Sequence, residues 1–313
     1  MTTVLKKRTS SDLKFPEFDD IKVSTKTFIA MTNLIIDLKK LFEYLPITDY
    51  KVVPKKRGRK KKVEKVEEKM IIESGSVITL KYENDIRGVE IKKKKIDSKK
   101  KKSKWFRNSF TVVMIIDNKP INFKICQNGM MQVTGCKFDS QAEDCVKYIW
   151  YYIKEQKDIY KFNNGENLEV MFIPVMRNID FNLGFIVDRE KLAKYMTTQT
   201  QFHSLLETSF GYTGVNVKIP VKNDIRKMEI KKMCYLDDKW VEKFTTYDEY
   251  LNRLSDKEIS KKMNKERFVT FLVFHSGMVI QSSQNRDFGR DSYYYFLKII
   301  RAAFDEIEER LDV

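Results

Sequence analysis

The chain repeats itself, and that restricts its fold more than any other feature. The ten residues from Asn84 read NDIRGVEIKK and the ten from Asn223 read NDIRKMEIKK, agreeing at eight positions 139 residues apart. DLKKLFEYL from Asp37 resembles DREKLAKYM from Asp188, 151 residues on, and FKICQNGM from Phe123 resembles FLVFHSGM from Phe271, 148 residues on. Ten residues beyond each glycine of the last pair, Asp139 and Asp287 open a helical pattern. Four matches in one order read as a tandem duplication with unequal insertions, so the 313 residues must build one motif twice.

Each copy has the same layout. An extended stretch (25–36; 172–187) leads to a short helix whose N-cap is Asp37 or Asp188, since an aspartate carboxylate accepts from the free amides of a first turn. Strand-like segments follow at Val77–Tyr82 and Arg87–Lys92 in the first copy, and at Val215–Val221 and Arg226–Met233 in the second, each pair joined by an Asn-Asp turn. Next comes a hairpin, Ile121–Gln127 turning at Asn128-Gly129 into Met130–Thr134; its counterpart turns at Ser276-Gly277 between Phe268–His275 and Met278–Ser282. A longer helix closes each copy, over Ser140–Gln156 with a Ser140/Glu143 capping box, and over about Asp291–Leu311. Val146, Ile149, Tyr152 and Ile153 form an apolar stripe on one, and Leu297, Ile300, Phe304 and Ile307 on the other. The expected class is α+β: a curved antiparallel sheet with helices on one face, leaving the other face open to solvent or a ligand.

Charge is distributed unevenly. The net charge is +16, but residues 55–65 alone carry +7 and residues 92–104 carry +8, which leaves +1 on the rest. Short dense cationic segments of this kind are solvated and attract polyanions. The longest apolar run, Val112–Ile116, is strand-sized, so no membrane span is expected, and MTTVLKKRTSSDLK carries no hydrophobic signal region. Cys126, Cys136, Cys145 and Cys234 lack metal-ligand spacing and read as packing thiols in a reducing compartment; His203 and His275 are isolated. No P-loop, dinucleotide glycine motif, HExxH or G-x-S-x-G is present, so neither an enzyme nor a cofactor is expected.

The segment FKICQNGMMQVTGCKFDSQAEDCVKYIWYYI resembles the signature of TATA-box-binding proteins: strand, Asn-Gly turn, strand ending in Thr-Gly, long helix. TFLVFHSGMVI resembles the same element of that family's second repeat, and the TATA-binding-protein-like proteins of large nucleocytoplasmic DNA viruses share the lysine-rich insertions. The resemblance implies a duplicated saddle whose concave face grips the minor groove of double-stranded DNA and whose helices receive an initiation-factor-IIB-like protein and RNA polymerase. It implies an N-terminal tail at 1–20, a first repeat at 21–160 with insertions at 51–75 and 93–109, and a second repeat at 168–313 with an insertion at 231–266. It also implies an intracellular site of action, in the host nucleus, the viral factory or the virion.

The family's DNA-facing positions map onto Lys124, Cys126, Gln132 and Thr134 in the first copy and onto Leu272, Phe274, Ile280 and Ser282 in the second. Phe274 stands where the resemblance places a DNA-kinking wedge, and Cys126 holds that place in the first copy. The outer wedge falls on Ile86 or Phe110 in the first copy and on Tyr212 or Ile225 in the second. Asn178 fits the groove-reading asparagine, whose first-copy partner is Thr25 or Thr27. Arg57-Gly58-Arg59, within Lys55, Lys56, Lys60, Lys61 and Lys62, resembles an AT-hook core with Lys60 replacing the usual proline; generic phosphate binding or nuclear targeting are the alternatives. Two other functions fit the chain, a sequence-nonspecific architectural DNA-binding protein and an interaction scaffold on a degenerate saddle.

Overall fold

The computed structural model describes residues 9–50, 72–89, 108–200, 202–207, 213–222 and 224–309. They divide into two units. The first, Thr27–Ile173 with Ile230–Thr245, contains most of β1 (Val23–Thr32), then β2 (Leu34–Ile36), α1 (Leu38–Tyr44), β3 (Val77–Tyr82), β4 (Asp85–Gly88), β5 (Ser109–Ile116), β6 (Lys119–Cys126), β7 (Met130–Cys136), α2 (Asp139–Ile153) and β8 (Tyr160–Phe162). Its strands run in the order β1-β7-β6-β5-β3-β4, and the pairs from β7 to β4 are antiparallel.

The second unit, residues 1–26, 174–229 and 246–313, contains most of β9 (Glu169–Asn182), then α3 (Arg189–Gln199), β10 (His203–Glu207) and β11 (Gly214–Pro220). After β12 (Glu229–Leu236) and β13 (Lys239–Thr246) it continues with α4 (Tyr247–Leu251), α5 (Asp256–Met263), β14 (Phe268–Phe274), β15 (Met278–Ser283) and α6 (Arg286–Ile307). The strand order is β9-β15-β14-β11-β10, antiparallel throughout. The expected α+β class and duplicated antiparallel architecture are what the structure shows.

The duplication is visible at single hydrogen bonds. Asp37 accepts from the Lys40 amide and Asp188 from the Lys191 amide, each capping its helix. The Ile36 amide reaches the Gln127 carbonyl at 2.8 Å, and the Val187 amide reaches that of His275 at 2.9 Å. The two hairpin glycines sit at φ of 74° and 79°. A Cβ on Gly129 would meet the Leu34 carbonyl oxygen at 2.3 Å, and one on Gly277 would meet that of Phe185 at 2.2 Å. Both turns therefore need glycine for conformation and for close approach. These matches place Cys126 and Phe274 at equivalent positions, each accepting from its turn glycine at 3.0 Å.

Alternation along the strands splits each sheet into a packed and an open face. In β14 Val269, Phe271 and Val273 are buried; Phe271 stacks on Phe296 of α6 with centroids 4.1 Å apart and planes 9° off parallel. In β6 Ile121, Phe123 and Ile125 are buried in one cluster with Val146, Ile149 and Ile153 of α2. The residues between them, including Lys124, Cys126, Leu272 and Phe274, are only partly buried.

Several expectations are corrected. The Asn84 and Asn223 matches are not equivalent places: Asn84 lies in the turn after β3, whereas Asp224 caps a 3-10 turn after β11. By pairing, β11 corresponds to β5 and the partner of β3 is β10. The Ser140/Glu143 capping box does not form; α2 starts one residue earlier, and Glu143 is buried in an ion pair with Lys231 at 2.8 Å. The closing helix α6 begins at Arg286, capped by Asn285, rather than near Asp291. Part of the expected tail is packed structure: Phe18 is fully buried, Tyr293 Oη donates to the Pro16 carbonyl, and Asp19 pairs with Arg286 and Arg290. The expected 231–266 insertion contains most of the β12–β13 hairpin, which folds with the first unit, and α4 and α5, which fold with the second.

Candidate nucleic-acid interface

On the second unit's open face, the registers set side chains in rows across all five strands. One row runs Leu205, Asn216, Leu272, Ile280, Asp180. The next runs Lys218, Thr270, Ser282, Asn178. Phe274 stands opposite Gly214, and the space that a Gly214 side chain would take is filled by Leu272, whose Cδ1 would lie 2.8 Å from a Cβ there. Leu205 is 64% exposed and Leu272, Phe274 and Ile280 are half-buried, so a ridge of apolar groups is held open by a rigid core beneath it.

The same construction in the first unit carries different chemistry. Its row runs Ile86, Lys81, Thr111, Lys124, Gln132, with Asn122 opposite Thr134 and Ser109 opposite Cys126. Thr134 Oγ1 donates to the Asn122 carbonyl at 2.9 Å. Burial pushes the Cys126 thiol up from its ordinary value, with Lys124 opposing, so the side chain is a small neutral group. Leu272, Phe274 and Ile280 are thus matched by a lysine, a thiol and an amide. Farther out, Val113 and Ile115 on the same side are buried with Ile78, with Tyr50 and Ile72 packed against them, which removes those positions from the open surface.

The structure brings Lys124, Cys126, Gln132 and Thr134 onto one open face and Asn178, Leu272, Phe274, Ile280 and Ser282 onto the other. It corrects two assignments: Phe110 is 1% exposed, edge-on to Tyr82 in the core, and faces away from the open side, because β5 places 109 and 111 there instead. Ile225 is buried in its 3-10 turn and is no wedge either, whereas Ile86 is 40% exposed at the sheet edge. Tyr212 and Lys55, Lys56, Arg57, Arg59, Lys60, Lys61 and Lys62 lie outside the described residues. Asn178 Oδ1 is buried with no hydrogen-bond partner, and the residue 151 positions earlier, Thr27, is 6% exposed. Leu205, Asn216, Lys218, Lys81 and Thr111 also belong to these faces, and the sequence reading misses them: Leu205 needs β10 to be recognised as a strand, and the others need the register that sets which side of β3, β5 and β11 is open.

Among the described residues no group of three or more His, Cys, Asp or Glu side chains could hold a metal, and no helix is long and apolar enough to cross a membrane. The four cysteines are free thiols.

No family model matches the chain. It is 24% identical over 214 residues to uncharacterized protein 335L of Invertebrate iridescent virus 6, covering 66% of this chain and 64% of that protein. It is 30% identical over 152 residues to a TATA-box-binding protein-like protein of Acanthamoeba polyphaga mimivirus, covering 42% of this chain and 41% of that one. The chain thus spans under two thirds of the length of either relative. Methanococcus jannaschii TBP superposes with a TM-score of 0.44 and 13% identity, over 92% of this chain and 99% of that one. Over those 152 residues the chain is thus related in sequence to a viral TATA-box-binding protein-like protein.

Proposed function

We propose that the chain is a DNA-binding transcription-initiation factor that engages the minor groove of promoter DNA through its open sheet faces and recruits an initiation-factor-IIB-like protein and RNA polymerase through its helices. The observation that carries this reading is the open apolar ridge of Leu272, Phe274 and Ile280 flanked by Asn178, Thr270 and Ser282. A minor groove offers a degenerate row of acceptors and stacked base steps, and small polar groups beside apolar wedges suit both. The relationship to a viral TATA-box-binding protein-like protein supports the same reading.

One observation favours a second reading for half of the molecule. The first unit's face has Lys81, Lys124, Gln132 and Thr134 and no aromatic side chain among its described open positions, which suits following a phosphate backbone rather than prying base steps apart. Hydroxyl-radical footprinting on mixed promoter and non-promoter fragments tests the proposal. A protected minor-groove tract confined to promoters is expected. Uniform protection would favour the architectural reading, and no protection at low salt would reject DNA binding altogether.

A further inference from the structure

The β12–β13 hairpin is left unused by the DNA reading. Asp237 and Asp238, at φ of 47° and 59°, form its tight two-residue turn. β12 pairs on one side with β9, from Lys231 opposite Phe172 to Cys234 opposite Glu169, and on the other with β13. β13 pairs, among the described residues, with β12 alone, so its outer backbone edge meets no strand there.

The hairpin is firmly anchored. Trp240 Nε1 donates to Tyr151 Oη at 2.9 Å, and its ring packs on Tyr235 with centroids 5.1 Å apart. Lys231 binds both Glu143 and Glu242, at 2.8 and 2.9 Å. Lys154 reaches Asp238 at 3.0 Å and Tyr235 Oη at 3.2 Å. The alternate positions Lys239, Val241 and Lys243 point to the other side and are exposed, as is Phe244; Val241 is 49% and Phe244 63% exposed. Neither Lys239 nor Lys243 has an ion-pair partner among the described residues.

We propose that β13 is a docking edge to which an extended segment of a partner protein, acidic and apolar at alternating positions, adds as a further strand. A free edge supplies main-chain donors and acceptors for strand addition, and side chains on both faces supply selectivity. Lysines on an edge disfavour pairing with a second copy, because β13 against β13 would set Lys239 and Lys243 beside lysines; an acidic segment meets the same charges as partners. Glu242 is already paired with Lys231, which leaves Lys239 and Lys243 as the charges of the strand without an ion-pair partner among the described residues. Because the hairpin is held in place beforehand, docking orders little of this chain.

The test uses the full chain and a fluorescent peptide in which Glu alternates with Val and Phe. Its controls are the same peptide with Lys for Glu and an N-methylated version that cannot complete strand hydrogen bonds. The Glu peptide should bind with amide exchange slowed in β13. The Lys version should bind roughly tenfold more weakly, and the N-methylated one should lose binding. Lys239→Glu with Lys243→Glu should reverse the charge preference, and Phe244→Ala should weaken the Glu peptide; all three positions are exposed, so the fold should be retained. Absence of binding, equal binding of both charge forms, binding indifferent to N-methylation, or exchange unchanged in β13 would each overturn the proposal. Concentration-dependent dimerisation that protects β13 would also overturn it, by making a second copy the occupant.

Discussion

Phe274 and Cys126 occupy equivalent positions, each accepting a 3.0 Å hydrogen bond from the glycine of its hairpin, yet one presents an aromatic ring and the other a thiol. Unstacking a base step costs about a few kcal/mol and is offset only by an apolar group that fills the gap. Phe274→Ala should therefore abolish most of any DNA bend measured by fluorescence transfer, whereas Cys126→Ala should change it little and Cys126→Phe should increase it. Equal losses from the two alanine variants would refute the asymmetry. At Asp19, the hydrogen bond from Arg286 holds the carboxyl below its ordinary value, with Arg290 and Arg177 adding to the effect. A depressed folded-state value contributes stability that is complete above the ordinary carboxylate pKa and is lost as pH falls through the lowered one. Between about pH 5 and about pH 2, Asp19→Asn should accordingly show a smaller drop in melting temperature than the parent chain.

At the scale of elements, the 13–21 segment is a strap on α6. Leu13, Phe18 and Ile21 are buried, Phe18 meets Tyr293 at 5.5 Å, and Tyr294 Oη donates to Glu17. Phe18→Ala should destabilise the second unit by about 3 kcal/mol or more, the cost of emptying a fully buried aromatic site, read as a lower urea midpoint. The strap is illegible in the sequence because FPEFDD has no periodicity of its own; its order comes from what it packs against. The hairpin and the closing helices are legible, since Asn-Gly and a 3.6-residue stripe are local signals. The strong match between Asn84 and Asn223 misleads because its eight shared residues fall after β3 in one copy and after β11 in the other. The open-face residues of β6, β7, β14 and β15 are readable from alternation beside a known turn, whereas Phe110 has no such turn beside it to set its register.

For the molecule as a whole, the proposed DNA binding draws its affinity and its bending from different parts of the chain. Residues 55–65 and 92–104 carry almost all of the net +16. Deleting 55–65 and 93–104 should flatten the dependence of DNA affinity on salt, by about 0.9 in log-log slope for each phosphate that is no longer neutralised, while leaving bending by Phe274 in place. An unchanged slope in a salt titration would refute this.

The sequence alone determined that one motif occurs twice, that each copy ends in a hairpin and a long helix, and that positive charge sits in two short segments. These are local properties, written in turn residues, spacing and composition. Only the tertiary structure decided that β10 is the counterpart of β3 in the duplication, that β12 and β13 fold with the first unit, and that Phe110 faces inward. Strand partnership and facing depend on register between segments distant in sequence, and a one-residue shift exchanges the two faces of a strand.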